Sequence, residues 1–389
     1  MRVRYATAVR WLAFGTYDVH RHPRVGVLIE GLRAAGDEVV EVNVPLALDT
    51  AGRVAMLRQP WRLPKLAWLL GRCWTLLAVR ARRAPAADAV LVGYLGHFDV
   101  RLARRLFRRT PIVLDHLISA AGTARDRSLT DSGGGGLKSK LMRWIDRGAL
   151  SSADVVVVDT DEHLAALPAS AAPRGVVAPV GAGQQWFAAR PAARPSGPRA
   201  LKVIFVGLFT PLHGTSYLGS ALAELADDER IEVTMVGKGQ DYEACRAAAA
   251  GNPRVTWVDW VTASELPGVV AAHDVSLGIF GTTDKAQNVV PTKVFQGAAA
   301  GCAIVTSDTA PQRRTLGDDA LFVPPGSASE LASVLRSLAS DPALLADYQG
   351  RAAARADDQF AAATVVEPIR ARVGSTSTST QPPAMQETR

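Results

Sequence analysis

Short apolar runs rich in valine and isoleucine recur along the chain, separated by stretches whose apolar residues fall at helical spacing. In the first half the runs are residues 9–14, EVVEVNV from Glu38, ADAVLVGY from Ala87, PIVLDH from Pro111 and ADVVVVDT from Ala153. Between them, residues 25–35 carry Val27, Leu28 and Leu32 on one helical face, and residues 100–109 and 137–150 also read as helices. The second half repeats the pattern with LKVIFVG from Leu201, IEVTMVG from Ile231, RVTWVD from Arg254, DVSLGIF from Asp274, CAIVTS from Cys302 and ALFVPP from Ala320. Strands that alternate with helices predict parallel sheets joined by right-handed crossovers.

The stretch 274–307 shows the unit most clearly: a strand, a Gly-containing loop, a helix opened by Pro291 and stopped by Gly301, and a second strand. Ligands of open α/β sheets gather beyond the carboxyl ends of the strands, where helix N-termini offer unpaired N–H groups. The loop 278–290 is therefore the first candidate for an anionic ligand.

The chain has 389 residues, of which 48% are hydrophobic, enough for two domains with separate cores. At 188–200 the composition changes to AARPAARPSGPRA, which lacks periodicity, and 189–200 reads as a linker. The expected organisation is a first α/β domain over 1–188, a second over 201–355, a terminal helix over 356–372 packing back on the first, and a disordered tail over 373–389. Three widely spaced cysteines, Cys73, Cys245 and Cys302, suit a reducing compartment and form no zinc-binding spacing. The N-terminal apolar stretch is short and strand-like, so no secretory leader is expected, and no long uncharged apolar run predicts a membrane span. A cytoplasmic protein is the expectation.

The net charge of +7 is concentrated. From Arg58 to Arg109 twelve Lys or Arg face only Asp88 and Asp99, a local excess of +10. Within it, segment 58–83 interleaves Trp61, Trp68 and Trp74 with leucine and arginine. That composition fits a helix lying on an anionic membrane surface, and it also fits a core-facing amphipathic helix with a solvated basic side. No nucleic-acid-binding motif accompanies the charge, and no nucleic acid partner is expected.

The segments VGLFTPLHG from Val206, VGKGQ from Val236, 255–278, PTKVFQGAAAGCAIVTSD from Pro291 and LFVPPGSASELASVL from Leu321 resemble, in order and spacing, the donor domain of retaining GT-B glycosyltransferases of family 4. The first half is similar to the acceptor domain of that family through GTYDVHRHPRVGVLIEGLRAAGDEVVEVNV and ADVVVVDT. The resemblance implies two Rossmann-like parallel-sheet domains facing across a cleft, with a nucleotide diphosphate-sugar donor held mainly by the second and an acceptor, for example a lipid-linked glycan, by the first. It also implies chemistry without a metal or other cofactor, in keeping with the absence of an Asp-x-Asp pattern from the donor loops. Asp159 and Asp161 do form such a pattern, and they read as helix capping.

The chain departs from the family pattern at the site. Where the family has two glutamates seven residues apart, Asn288 and Gln296 stand. Gln296 can hydrogen-bond ribose hydroxyls and Asn288 a sugar hydroxyl, but Asn288 cannot serve as a carboxylate nucleophile. Front-face attack within an ion pair is the expected mechanism. Where the family places an Arg and a Lys on the diphosphate, Leu208 and His213 stand. Lys285 and Lys293 are the cations available to compensate, with backbone N–H groups of Gly207 and Gly214, and Gly237 ends the neighbouring strand. If His213 carries the diphosphate, its ordinary pKa near 6.5 predicts donor affinity that weakens from about pH 6 to 8.

In the first half, Gly15, Thr16 and Tyr17 follow a strand where backbone can approach a phosphate. His20 and His22 read as loop histidines. Asp115 or His116, closing PIVLDH, is the candidate for orienting or deprotonating the acceptor, and Asp115 also suits a turn cap. Three function classes follow: a glycosyltransferase, a sugar-nucleotide 2-epimerase, and a degenerate scaffold that binds a partner.

Overall fold

A computed structural model describes residues 8–19, 22–46, 61, 63–93, 96–117, 136–193, 197 and 199–378. His20 and the glycines at 133–135 lie outside them. The chain forms two compact units, one of Met1–Asp159, Leu164–Ala178 and Val366–Arg389, the other of Thr160–His163 and Pro179–Val365. The second unit thus starts before the stretch expected as a linker. Within that stretch Arg190 donates to Ala299 O at 2.9 Å, and Arg199 Nη1 pairs with Asp274 at 2.6 Å.

The first unit contains six parallel strands, β1 Arg10–Gly15, β2 Glu38–Asn43, β3 Ala89–Val92, β4 Ile112–Asp115, β5 Val155–Val158 and β6 Gly175–Val177, in the order β2-β1-β3-β4-β5-β6. The second contains β7 Leu201–Val206, β8 Ile231–Val236, β9 Val255–Val258, β10 Val275–Leu277, β11 Ala303–Ser307 and β12 Leu321–Val323, in the order β12-β11-β10-β7-β8-β9. Both are doubly wound, Rossmann-like sheets. Strands β3, β4 and β5 are buried along their whole length, as continuous runs of Val, Ile and Leu in a sheet covered on both faces require. In the second sheet the strand sequence reverses between β7 and β10, the switch point at which such sheets open a crevice.

All six apolar runs of the second half form strands, and β6 is an addition to the five expected in the first. The three-residue GVV of β6 is too short to show alternation. The loop 278–290 holds a short helix, Asp284–Gln287, capped by Thr283. Helix Leu63–Arg83 spans the basic Trp-rich segment. Its residues Cys73, Leu77 and Ala81, four apart, are buried, while Trp68 is 64% exposed and Leu76 and Val79 are exposed with it. Trp74 turns inward and donates to Asp99 Oδ1 at 2.9 Å.

The chain end departs from the expected tail. Helix Glu367–Thr378 runs through position 373, and Val373 is buried. Arg370 gives two hydrogen bonds of 2.8 Å to Asp37, a carboxylate that also accepts from Trp11 Nε1 at 2.9 Å. A bidentate, buried pair of this kind fixes the helix on the first unit. The cap at the Asp159-x-Asp161 stretch also differs from expectation, since Thr160 Oγ1 accepts from His163 N at 3.2 Å. Asp161 and Glu162 instead pair with Arg314 at 3.2 and 2.9 Å. The three cysteines are buried thiols outside any disulfide.

Candidate functional site

The carboxyl end of β7 continues into Gly207 and a tight 3-10 turn, Pro211–His213, which ends at Gly214 and feeds helix Thr215–Glu224. Gly214 has φ 65°, and a Cβ there would lie 2.4 Å from the carbonyl carbon of Phe280. Only glycine lets the turn close against the loop after β10. The first turn of the following helix points its unpaired N–H groups to the same end of the sheet, where they favour an anion.

Lys293 converges on this place from the first turn of helix Thr292–Ala299, whose N-cap is Pro291. Its side chain is 9% exposed, its Nζ lies 3.7 Å from the centroid of the Phe205 ring, and that ammonium has no hydrogen-bond partner. A Cβ built on Gly207 would stand 2.7 Å from Lys293 Nζ and 3.4 Å from His213 Nε2, so the glycine leaves open the space where the two nitrogens meet. His213 Nδ1 pairs with Thr210 Oγ1 at 2.9 Å, which leaves Nε2 to face Lys293.

Both groups have strongly perturbed acidities. Burial holds the Lys293 amine well below the ordinary lysine range. Burial likewise holds the His213 imidazole well below its ordinary value, assisted by the charges of Lys293 and Lys285. The free imidazole therefore holds a proton less readily than an ordinary histidine, and the pH dependence of donor affinity expected from His213 depends on how far a bound anion raises that pKa. A bound anion would relieve the desolvation of both nitrogens. The arrangement brings two buried basic nitrogens together beside Gly207 at the carboxyl end of β7.

Two backbone groups expected to bind phosphate are engaged elsewhere. Gly207 N donates to Val236 O at 3.0 Å, prolonging the β7–β8 ladder, and Gly214 N donates to Pro211 O at 3.1 Å, closing the 3-10 turn. Their contribution is space rather than donors. Gly237, with φ 122°, plays the same part from β8, since a Cβ there would lie 2.0 Å from Gly207 O. Asn288 Nδ2 donates to Asp284 O at 2.6 Å, tying the amide to the short helix and leaving Oδ1 as its acceptor. Gln296 is half-buried one turn beyond Lys293, on the adjoining helical face. Lys285 is half-buried on helix Asp284–Gln287 and acts on His213 through its charge. Leu208 is 56% exposed at the mouth of the turn.

In the first unit Gly15 has φ 148°, and a Cβ there would press within 3.1 Å of Asp99 Oδ2. That same carboxylate oxygen accepts from Thr16 N and Thr16 Oγ1, each at 2.8 Å. The turn after β1 is thus locked by Asp99, a residue whose part is not visible in the sequence because it lies far along the chain. Asp115 is buried and accepts from Arg24 Nε at 2.8 Å, while Arg24 Nη2 donates to Ala178 O at 3.0 Å. Burial pushes its carboxyl up, with Arg24 pulling it down. This position makes Asp115 a tie between β4 and helix Pro23–Ala34, neither a turn cap nor an open base. His116, buried beside it, adjoins His97 with ring centroids 5.4 Å apart.

The second doubly wound unit thus brings Lys293 and His213 together at its switch point. Residues 200–341, within the second unit, match the family model described as Glycosyl transferases group 1. A search of curated proteins finds no match. Among solved structures, sucrose-phosphate synthase from Thermosynechococcus elongatus is similar at 15% identity and TM-score 0.69, over 96% of this chain and 99% of that one. Anabaena HepE in complex with UDP and glucose is similar at 16% identity and TM-score 0.65, over 94% and 100%. A glycosyltransferase from Rickettsia africae follows at 12% identity and TM-score 0.62, over 95% and 99%. These likenesses show the fold, the pair of Rossmann-like units found in GT-B proteins. Among the described residues, no helix is long and apolar enough to cross a membrane.

Proposed function

We propose that the chain is a retaining glycosyltransferase that moves a sugar from a nucleotide diphosphate-sugar to a hydroxyl acceptor. The observation that carries this reading is Lys293 Nζ, buried and without a hydrogen-bond partner, beside His213 Nε2 at the N-terminal end of helix Thr215–Glu224. A lysine kept in such a place awaits a strong acceptor, and a diphosphate supplies several. The matched domain pattern and the UDP and UDP-glucose named with the HepE structures make a uridine nucleotide the first donor to try.

In the reaction, the bond from the anomeric carbon to the diphosphate oxygen breaks while the acceptor oxygen bonds to the same face of that carbon. The acceptor proton passes to the departing diphosphate oxygen. Lys293 and His213 stabilise charge as it builds on that oxygen, in the part otherwise taken by an arginine, a lysine or a metal ion. No carboxylate stands at position 288, so no covalent glycosyl-enzyme is formed there, and Asn288 and Gln296 orient sugar and ribose hydroxyls. His116 is the residue assigned to orienting the acceptor. The acceptor is a lipid-linked glycan or another hydroxyl compound, and a peripheral stay on an anionic membrane would serve the lipid-linked case. Trp68, Leu76 and Val79 on helix Leu63–Arg83, and Leu141 and Trp144 on helix Leu137–Ser151, are exposed apolar residues of the first unit that could meet such a membrane.

The exposed Leu208, where the family has a cation, favours as second reading a scaffold that binds without turnover. The two readings and the epimerase separate in one assay. A transferase consumes donor only when acceptor is present, an epimerase converts donor alone, and a scaffold does neither. Donor conversion without acceptor, or none with a panel of lipid-linked and free glycans, overturns the proposal.

A further inference from the structure

The first unit holds a second cluster of chemistry-bearing side chains, separate from the anion pocket. His97, His116 and Asp146 are all at least nine-tenths buried, and one ligand-capable atom from each lies within 4.8 Å of the others. His97 Nε2 stands 3.3 Å from Asp146 Oδ1, yet it meets no hydrogen-bond partner although it is sealed from solvent. Three elements deliver the residues. His97 lies between β3 and helix Asp99–Leu106, His116 directly follows β4, and Asp146 projects from helix Leu137–Ser151. Two of them therefore sit at the carboxyl edge of the first sheet, where α/β units take their ligands.

One of the separations suits an ion. Zinc bonds of about 2.0–2.1 Å in a tetrahedron put neighbouring ligand atoms about 3.3 Å apart. His97 Nε2 and Asp146 Oδ1 already have that separation. The third atom comes into place through a shift on the order of 1 Å, within the reach of small side-chain torsions. Two imidazoles and one carboxylate suit zinc and its transition-metal neighbours, whereas calcium and magnesium take oxygen shells.

We propose that His97, His116 and Asp146 bind one divalent transition-metal ion of the zinc type, with a fourth position open to water or to a substrate oxygen. Three protein ligands with one open position is the pattern of a zinc ion that meets small molecules, in contrast to the closed four-ligand sites that only brace a fold. Ion binding stands independently of the transferase reading, because it requires neither donor nor acceptor.

The test uses the full chain, stripped with a chelator and titrated with Zn2+ against a chromophoric zinc indicator, and separately with Co2+ in the visible range. The expected result is one ion per chain, intense four-coordinate cobalt bands, and affinity lowered more than about tenfold in both H97A and D146N. Equal binding by wild type and both variants marks an adventitious ion only and overturns the proposal, as does a failure to compete with the indicator. Should the variants fail to fold, the wild-type cobalt spectrum decides, and the weak bands of a six-oxygen ion contradict the site.

Discussion

The ammonium of Lys293 sits 3.7 Å from the centroid of the Phe205 ring and meets no hydrogen-bond acceptor. A cation–π contact returns part of the hydration that burial removes, but not all of it. Replacement by an apolar side chain of similar shape should therefore stabilise the fold. Lys293→Met is expected to raise stability by about 1–3 kcal/mol at neutral pH, the cost of an unsatisfied buried polar group. The sign follows from linkage: a base whose folded pKa is depressed weakens the fold below its unfolded pKa. The advantage of the variant should thus shrink as pH climbs toward about 10.4, where the unfolded lysine also loses its proton. Melting curves across that range check both statements.

His213 makes a parallel case at lower pH. Its imidazole is held well below the ordinary value by burial, with help from Lys293 and Lys285. Below about pH 6.5 the unfolded chain takes up a proton that the folded chain refuses, so stability falls on acidification by up to about 1.4 kcal/mol per pH unit. His213→Asn should flatten that slope between pH 6.5 and 5 in denaturant titrations. An unchanged slope would place the acid sensitivity elsewhere.

Gly207 and Gly214 serve by what they lack. Gly214→Ala forces a methyl group against the Phe280 backbone at a positive φ and should cost at least about 1–3 kcal/mol. Gly207→Ala meets the flexible end of Lys293 and, at 3.4 Å, His213 Nε2, and should stay folded, while on the proposed reading the methyl group takes space a phosphate oxygen would use. Its nucleotide Kd should rise at least about tenfold, equal to about 1.4 kcal/mol. Comparing melting temperature with Kd in the two variants separates the effects.

The helix Glu367–Thr378 is pinned to the first unit by Arg370, whose partner Asp37 is buried. Arg370→Ala leaves that carboxylate unpaired and should cost about 3–5 kcal/mol. Hydrogen exchange should then quicken in this helix before it does in β1.

Wild-type protein should sediment with vesicles containing phosphatidylglycerol and not with neutral ones, and salt should release it. Trp68→Ala together with Trp144→Ala should remove the binding, with at most a small fall in melting temperature from the loss of the Arg101 contact on the Trp144 ring. Binding to neutral and anionic vesicles alike would contradict the electrostatic part of this account.

Strands were the most legible part of the sequence, because runs such as VVVV in β5 admit few alternatives in a buried parallel sheet. Lys293 could be singled out from its place at a helix start. Its burial over Phe205 could not, since that depends on how the helix rests on β7. The engaged N–H groups of Gly207 and Gly214 were equally hidden, because ladder and turn closure decide which donors remain. His97, His116 and Asp146 are far apart in the chain and meet only when β3, β4 and helix Leu137–Ser151 are assembled. Asp99, which locks Thr16 and Trp74 at once, gave no sign in a basic stretch that reads as surface.

Calorimetric titration with UDP, GDP, ADP and dTDP in buffer free of divalent metal, on wild type and Lys293→Met, tests the central claim most directly. The account predicts that one nucleoside diphosphate binds the wild type and that the variant, folded and more stable, binds it at least about tenfold more weakly. Absence of binding to all four, or equal affinity in the two proteins, would contradict it.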